Sequence, residues 1–479
     1  MSFSPSGDRG DGATAEPQVP ELESPAGEFA LTDDFIRLVE DALESEGTEE
    51  DRGTAIRALA GDLYPADQAD LLEALASDRR AQLLALLGGE FEAETLAYLD
   101  PIVREEVIED LGLDRLALLL SELESDDALE LFVDLDEEAQ RRILSGLPAA
   151  YRRALLEGLT FEENTAGRLM QREVAAIPSA WTVGETIDYM RAADHLPDDF
   201  YDLYIVDPRH KPVGVAPLSR VLRARRPLPI TEVMDEERMM PIGVDKPDGE
   251  VADLFRRYGL VSAPVVDAGG RLIGSITVDD VVDVIDEEAE DTLLKLGGVS
   301  RPDFYEDVVD TARARMPWLF VNLATAVLAS LVIGLFEDAL SRVVALAVLL
   351  PIVASMGGNA GTQTLTIAVR ALAMHDLTGA NATRMIGKEV IVGLANGLVF
   401  AVVTGVIAWV WFNMPEIGLV IGAAMVVNMA AAAFSGILIP LILERLKVDP
   451  AIASTVFLTT VTDVVGFFSF LGLASLILL

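Results

Sequence analysis

Five long apolar stretches mark the last third of the chain. They are residues 317–336, 343–369, 390–412, 417–443 and 451–478. Each holds about the twenty residues that an α-helix needs to cross the hydrocarbon core of a bilayer. The pattern therefore predicts a transmembrane domain of five helices over residues 317–479, embedded in a lipid bilayer.

The pattern near the start of the chain is amphipathic instead. From residue 29 to 165, apolar positions recur every three or four residues, as in LLEALASDRRAQLLALL at 71–87. This spacing places the apolar side chains on one face of each short helix and predicts an all-α helical-repeat domain. Residues 1–28 are rich in Pro, Gly, Ser and Glu, which predicts a disordered acidic tail.

Residues 166–291 contain an internal duplication. The segment LYIVDPRHKPVGVAPLSRVL at 203–222 matches SAPVVDAGGRLIGSITVDDVV at 262–282. Each copy reads helix, strand, glycine-containing turn, strand, helix, which predicts an α/β pair. The pair resembles a tandem of cystathionine-β-synthase (CBS) domains. That resemblance implies either a cleft that binds an adenine nucleotide such as ATP or a module used only for dimerisation.

A charged amphipathic segment, residues 292–316, joins the duplicated part to the first apolar stretch. We expect it to form a connecting helix, interrupted near Gly297-Gly298 and Pro302. The overall prediction is a multi-domain α-helical membrane protein. An all-α helical-repeat domain and an α/β CBS pair, both cytosolic, precede a transmembrane domain of five helices.

Charge is distributed very unevenly along the chain. The net charge is −42, and residues 1–310 carry 28 Lys/Arg against 70 Asp/Glu, whereas the remainder carries 8 of each. Without a basic stripe to neutralise phosphates, nucleic-acid binding is excluded. Such a surface attracts cations, although it is equally typical of a soluble surface adapted to a salty cytosol.

The basic residues beside the apolar stretches indicate an orientation. Residues 311–479 contain eight Lys and Arg residues. With the N-terminus in the cytosol, Arg342 falls outside and the other seven fall inside. The positive-inside rule therefore places the acidic domains in the cytosol and the C-terminus outside, as expected of a multi-pass protein of the plasma membrane.

The last apolar stretch contains a carboxylate. Asp463 lies about 12 residues from its start, or about 18 Å into the span. Thr455 and Thr459 precede it at four-residue spacing, so one face of the helix is polar. A buried charge here costs at least about 3 kcal/mol and usually lines a polar pathway. The alternative is a protonated carboxyl hydrogen-bonded between helices.

The second apolar stretch contains PIVASMGGNAGTQT at 351–364. Its glycines, Gly358 among them, either let helices approach closely or let the helix open and free backbone carbonyls. Close packing alone does not explain the polar Asn359 and Gln363 beside them, whereas an irregular segment that lines a water-filled cavity would. Together with Asp463, these groups form an all-oxygen ligand set, which fits a hard divalent cation such as Mg²⁺ that keeps much of its hydration shell.

Several motifs resemble the MgtE family of magnesium channels and transporters. They are PIVASMGGNAGTQT, VRALA at 369–373, DPAIAS at 449–454, TDVVGF at 462–467 and NTAGRLM at 164–170. The resemblance implies a homodimer with the pore at the subunit interface. In such a protein Asp463 binds Mg²⁺, the glycine-rich span helps to form the pore, and the connecting helix acts as a plug. Cytosolic Mg²⁺ bound between acidic domain surfaces holds the gate shut.

The same resemblance implies a set of regulatory metal ligands. They are Asp280, Asp283, Glu288 and Asp291, together with Asp248, Glu250, Asp126 and Glu130. Two positions depart from the family pattern: Thr455 stands where an asparagine is expected, and Gly259 where an acid is common. These departures place one pore contact and one regulatory contact in doubt.

The predicted function is a channel that imports Mg²⁺ down its electrochemical gradient and closes at high cytosolic Mg²⁺. One alternative keeps the architecture and changes the ion to Mn²⁺, Co²⁺ or Ca²⁺. Another is a membrane sensor of Mg²⁺ or a nucleotide that conducts nothing. An enzyme is not predicted, because the sequence contains neither a P-loop nor a nucleophile beside Asp463 other than threonines.

Overall fold

The computed structural model describes residues 31–45, 48–193, 196–197, 200–299, 308–373, 377 and 381–479. The predicted tail at 1–28 lies outside these residues. The chain divides into two compact units. The first comprises Met1–Lys246 with Ser262–Ile276, and the second comprises Pro247–Val261 with Thr277–Leu479.

The first unit begins with a series of short helices. They are α1 (Asp33–Glu44), α2 (Glu49–Ala60), α3 (Pro65–Ala74), α4 (Ser77–Leu87), α5 (Thr95–Tyr98), α6 (Pro101–Leu111), α7 (Leu113–Leu119), α8 (Ser125–Val133), α9 (Glu137–Gly146), α10 (Ala149–Gly158) and α11 (Ala166–Leu169). Local chemistry sets their ends. Thr48, for example, accepts a hydrogen bond from the Asp51 backbone, and the Asp51 carboxylate accepts one from the Thr48 backbone, which starts α2. The leucines of 71–87 pack in one core, with Leu86 partly buried and the others buried, which confirms the helical prediction.

Two small sheets follow in the first unit. Their strands are β1 (Ala176–Pro178), β2 (Asp202–Val206), β3 (Pro212–Pro217), β4 (Ile242–Gly243), β5 (Ser262–Val266) and β6 (Leu272–Thr277), with α12 (Val183–Ala192) and α13 (Leu218–Arg223) between them. The sheet orders are β1-β2-β3 and β4-β5-β6, and the first pair of each is parallel. The matching topology confirms the α/β duplication.

The turn between the last two strands of each sheet shows the duplication in detail. Asp207 accepts hydrogen bonds from the backbone of Arg209 and Lys211, at 2.8 and 2.9 Å. Asp267 accepts the equivalent bonds from the backbone of Gly269 and Arg271, at the same distances. These backbone donors stabilise the ionised carboxylate and lower the pKa of both aspartates.

The second unit is entirely helical in its described residues. Its helices are α14 (Asp248–Tyr258), α15 (Val278–Gly297), α16 (Val308–Gly334), α17 (Glu337–Arg342), α18 (Ala345–Ala373), α19 (Ala382–Phe412), α20 (Pro415–Arg445) and α21 (Pro450–Ile477). Helix α15 ends where Gly298 adopts a left-handed conformation with φ of 74°. Of the predicted connecting helix at 292–316, residues 300–307 lie outside the described part.

Five of the described helices are long and apolar enough to cross a membrane: Thr311–Gly334, Ala345–Ala373, Ala382–Phe412, Pro415–Arg445 and Ser454–Ile477. This agrees with the five apolar stretches of the sequence. Helix α19 begins eight residues before the predicted third span, because helical hydrogen bonding continues through its polar first turns. Hydropathy identifies the apolar part of a helix and not its full length.

Small residues let α19 and α20 pack closely. A methyl group built on Gly393 would lie 2.6 Å from Cβ of Ala433, and one built on Gly405 would lie 2.9 Å from the Gly418 carbonyl oxygen. Only glycine fits at such separations. Helix α20 is the most buried of the five, because half of the residues in its apolar segment are buried against the rest of the chain.

Candidate cation path and its cytosolic end

Helix α18 has two unlike faces. One face is buried and contains Val353, Gly357, Gly361 and Thr364. Asn359 and Gln363 lie on the opposite, exposed face, where the Asn359 amide is 3.4 Å from the Ser355 hydroxyl. The helix continues through Pro351 and the glycines without a break. The alternative of an opened backbone is therefore wrong, and Gly357 and Gly361 serve close packing.

The buried glycines of α18 meet helices α20 and α21. A methyl group on Gly361 would lie 2.8 Å from Cδ1 of Leu458, and one on Gly436 would lie 2.9 Å from Cβ of Thr364. Gly358 differs, because a methyl group there would meet no atom within 4 Å. The predicted site residue Gly358 thus borders open space within the single chain.

Two contacts set the antiparallel register of α18 and α21, namely Gly361 with Leu458 and Val353 with Gly466. Eight residues separate the two contacts on each helix, so Asn359 lies at about the level of Thr460. Asp463 is three residues further along α21, about 4.5 Å along the axis at 1.5 Å per residue. The two polar residues predicted for the path therefore occupy neighbouring levels of the membrane domain.

Asp463 is half buried in the middle of α21. Among the described residues, none forms a hydrogen bond or ion pair with its carboxylate. This finding disfavours the alternative of a carboxyl that only links two helices. The Thr459 hydroxyl donates to the Thr455 carbonyl of its own helix at 3.1 Å. The oxygen lone pairs of Thr459 are thereby left available as cation ligands.

Glu389 is a buried acid of the membrane domain, and sequence analysis missed it. It is buried in α19, with 6% of its surface exposed. The Thr364 hydroxyl lies 3.5 Å from its carboxylate, and the Lys388 ammonium lies 3.7 Å away. The predicted third span began at residue 390, one position too late to include it. Hydropathy alone therefore excluded it, although helix α19 begins eight residues before the predicted span.

The end of α15 lies against the start of α21. The Lys295 ammonium forms an ion pair with Asp449 at 2.9 Å and another with Asp291. The Thr455 hydroxyl lies 3.4 Å from the Leu296 carbonyl oxygen, to which it donates. Partial burial alone would lower the pKa of Lys295, but its hydrogen bonds to the two carboxylates outweigh burial and the net shift is upward.

Asp449 also begins helix α21. Its carboxylate accepts a hydrogen bond from the Ala451 backbone at 2.8 Å. An acid at a helix N-terminus is stabilised by the helix dipole as well as by this bond. The predicted regulatory residue Asp291 and the predicted pore residue Thr455 are thus parts of one junction, which joins the segment before the first membrane helix to the last one.

Helices α14 and α15 bring several predicted regulatory acids together. The Glu288 carboxylate of α15 lies directly against Gly249 of α14. Asp248 and Glu250 flank that glycine, so the three acids share one small region. A methyl group at position 249 would displace the Glu288 carboxylate from this place.

Another predicted regulatory acid, Asp280, has a structural role in the helix that carries it. Asp280 accepts from the Thr277 hydroxyl at 2.7 Å and from the Thr277 backbone at 3.2 Å, which caps α15. Asp283 lies on the same helix, and position 259 ends α14 as a left-handed glycine with φ of 61°. A cap of this kind explains why glycine replaces the acid expected there.

The acids predicted in the helical domain lie on α8. Asp126 is buried, with 8% of its surface exposed. Glu130 is exposed and accepts a hydrogen bond of 3.3 Å from Arg104, whose guanidinium is itself buried. Across the described ranges, no group of three or more His, Cys, Asp or Glu side chains is placed to hold a metal ion.

Three family models match the chain. The MgtE model, described as a divalent cation transporter, matches residues 350–473, the MgtE intracellular N domain matches 63–164, and the CBS domain matches 230–287. The first match covers α18 to α21 in most of their length. The path residues on α18 and α21 therefore lie inside the matched region.

Whole-length relatives are also similar. The magnesium transporter MgtE of Thermus thermophilus is 33% identical over 440 residues, which cover 90% of this chain and 97% of that protein. The magnesium transporter MgtE of Bacillus subtilis is 27% identical over 420 residues, which cover 88% of this chain and 93% of that protein. The crystal structure of the cytosolic domain of the Mg²⁺ channel MgtE in complex with ATP is 29% identical. The structural match covers 52% of this chain and 99% of the chain in that crystal structure, with a TM-score of 0.48.

Proposed function

We propose that this chain, which belongs to the MgtE family of divalent cation transporters, conducts Mg²⁺ into the cell down its electrochemical gradient. An inside-negative potential favours entry of a divalent ion by about 4.6 kcal/mol per 100 mV, twice the single-charge value. Transport of this kind requires no ATP hydrolysis. Members of the family are transporters or channels and not enzymes.

The observation that carries this proposal is the half-buried Asp463, which has no hydrogen-bond or ion-pair partner among the described residues. A carboxylate at mid-membrane without a protein partner is costly unless water or a cation reaches it. Thr459 and Asn359 supply further oxygen atoms at neighbouring levels. Such ligands suit a Mg²⁺ ion that retains several of its waters.

We infer that the pore lies between two copies of the chain. In a single copy the Asn359 side of α18 is exposed, although it lies at membrane depth. Polar side chains at that depth are unfavourable against lipid and favourable against water or protein. A homodimer that faces the two α18 helices toward a shared aqueous path removes this cost.

Gating is proposed to act through the junction of α15 with α21. Without bound Mg²⁺, the acids on α14 and α15 repel one another and disfavour the arrangement in which α15 contacts Thr455. Mg²⁺ reduces that repulsion and shifts the population toward the closed state. Asp248, Glu250 and Glu288 fit this role best, since they share one region. The role of Asp126 and Glu130 as regulatory metal ligands stays a prediction.

The test is Mg²⁺ flux through the purified protein in liposomes, with Mg²⁺ titrated on the side of the acidic domains. We expect flux that falls as this Mg²⁺ rises. Asp283→Asn tests the regulatory acids better than Asp280→Asn, because Asp280 caps a helix. Closure at the same Mg²⁺ concentration in Asp283→Asn and in the wild type would reject the role of Asp283.

A broader ion selectivity is the second candidate, because the matching family model is described by divalent cations in general. Competition by Mn²⁺, Co²⁺ or Ca²⁺ in the same liposomes distinguishes the two. A protein that binds Mg²⁺ and shows no flux of any ion would instead be a sensor. Nucleotide binding at the CBS pair and the plasma-membrane location with the C-terminus outside stay predictions.

A further inference from the structure

Asn428, in the middle of α20, is a fully buried polar side chain between the membrane helices. It is 0% exposed, and its amide nitrogen donates to the Val353 carbonyl of α18 at 2.9 Å. Since only the NH₂ end of an amide can donate to a carbonyl, the oxygen of the side chain must point elsewhere. This amide oxygen has no hydrogen-bond partner among the described residues.

The Asn428 amide lies between two glycines of different helices. A methyl group built on Gly466 of α21 would lie 2.7 Å from its nitrogen, and one on Gly357 of α18 would collide with the same nitrogen and lie 3.0 Å from its oxygen. Neither position has room for a larger side chain. One asparagine of α20 therefore contacts both α18 and α21.

An unpaired buried amide oxygen loses its hydrogen bonds to water without replacement, and a leucine of similar size would avoid this cost. Maximal stability therefore does not account for an asparagine at this position. The contacts instead fix a distance, because the amide is rigid, bonded to one helix and wedged against the other. Gly357 is two residues from Asn359, and Gly466 is three residues from Asp463.

We propose that Asn428 is a positioning residue that sets the separation of α18 and α21 and thereby the selectivity of the cation path. This inference rests on the proposed function. Asn359 and Asp463 can hold a partly hydrated ion only at a defined spacing, and hydrated divalent ions differ in size and in how readily they lose water. A change at Asn428 alters that spacing without removing any ligand.

The experiment measures Mn²⁺ flux relative to Mg²⁺ flux in liposomes containing the full chain. For Asn428→Ala we expect this ratio to rise at least threefold, because Mg²⁺ demands the more exact geometry. Ser435→Ala is the matched control, since Ser435 is a buried polar residue of the same helix whose hydrogen bonds, among the described residues, are to its own helix. Its ratio is expected to equal that of the wild type.

Gly466→Ala provides a second variant in case Asn428→Ala does not fold. It presses on the same amide from the other side, so it should also change the ratio. The double variant with Asn428→Ala should change the ratio by less than the sum of the single effects, because both act through one contact.

A purely structural role would lower thermal stability and leave the ratio unchanged, and that result for whichever variant folds would overturn the inference. Absence of all cation flux through the wild-type protein is a different outcome. It would remove the proposed function and with it this inference. Flux through the wild type together with an unchanged ratio in the variants would reject the inference alone.

Discussion

The ammonium of Lys295 lies 2.9 Å from the carboxylate of Asp449, the residue that begins the last membrane helix. Lys295 belongs to the last turn of α15, which also carries the predicted regulatory acid Asp291. One ion pair therefore couples a helix of the acidic region to the helix that carries Asp463. This coupling gives the proposed gate a physical connection to the path.

The first prediction concerns this ion pair. Lys295→Met should favour the open state, so more Mg²⁺ should be needed on the side of the acidic domains to close the path. A partly exposed ion pair contributes about 0.5–1 kcal/mol, which corresponds to a two- to fivefold shift in the concentration for half closure. Mg²⁺ titration of liposome flux measures that shift.

Lys447→Met is the matched control for Lys295→Met. It removes the same charge from the turn just before α21, but Lys447 forms no ion pair within the described residues. Half closure should occur at the wild-type concentration. Equal shifts in the two variants would mean that the general charge at this face, and not the ion pair with Asp449, controls closure.

The second prediction concerns packing of α18. Gly361→Ala should destabilise the membrane domain by about 1–3 kcal/mol, because the new methyl group overlaps Leu458. The measurement is the midpoint of thermal unfolding of the full chain in detergent. Gly358→Ala, which adds the same methyl group toward open space, should leave the midpoint unchanged.

A smaller side chain at position 458 should reverse part of this effect. In the double variant Gly361→Ala with Leu458→Ala, the overlap is absent, so the loss should be smaller than the sum of the two single losses. Strict additivity, or equal loss in Gly358→Ala, would argue against a specific close contact between α18 and α21.

The third prediction concerns pH and a partly buried carboxyl between the two copies of the duplication. Burial raises the pKa of Asp202, while a hydrogen bond of 3.1 Å from Ser262 opposes this shift. The folded chain therefore holds the proton to higher pH than the unfolded chain, and ionisation costs stability as pH rises above the ordinary value of 3.8. Asp202→Asn should stabilise the protein at pH 8, with a gain that vanishes near about pH 4.

Asp207→Asn should show the opposite sign. Backbone hydrogen bonds lower the pKa of Asp207, so its ionised form stabilises the fold above the ordinary pKa and this contribution is lost as pH falls. The variant should be less stable than the wild type at pH 8 and equal to it at low pH. Thermal unfolding from about pH 4 to pH 8 measures both differences. Parallel pH profiles of the two variants would contradict this assignment.

The helices, the domains and the internal duplication were predictable from the sequence, and the contacts between helices were not. Periodicity and internal similarity predicted the apolar helices, the helical domain and the α/β pair, since these depend on local spacing. The same spacing could not show that Gly357 faces a neighbouring helix while Asn359 faces away. That distinction depends on which side of α18 meets α20 and α21.

Two buried polar residues show the limit most clearly. Asn428 lies within the apolar stretch 417–443, and Glu389 lies just before the stretch 390–412. No sequence motif marks either residue. Their importance follows from contacts with Val353 and Thr364, which are distant along the chain. Asp463 was predictable because its own helix repeats polar residues at four-residue spacing.

The most direct test of the proposed conduction path is Mg²⁺ flux through the full-length protein in liposomes, compared with Asp463→Asn at equal protein content. Asparagine keeps the size and removes the charge, so flux should fall at least tenfold. Glu416→Gln, which neutralises an exposed acid in the first turn of α20, should keep wild-type flux. Flux in Asp463→Asn within twofold of the wild type would contradict a path lined by Asp463.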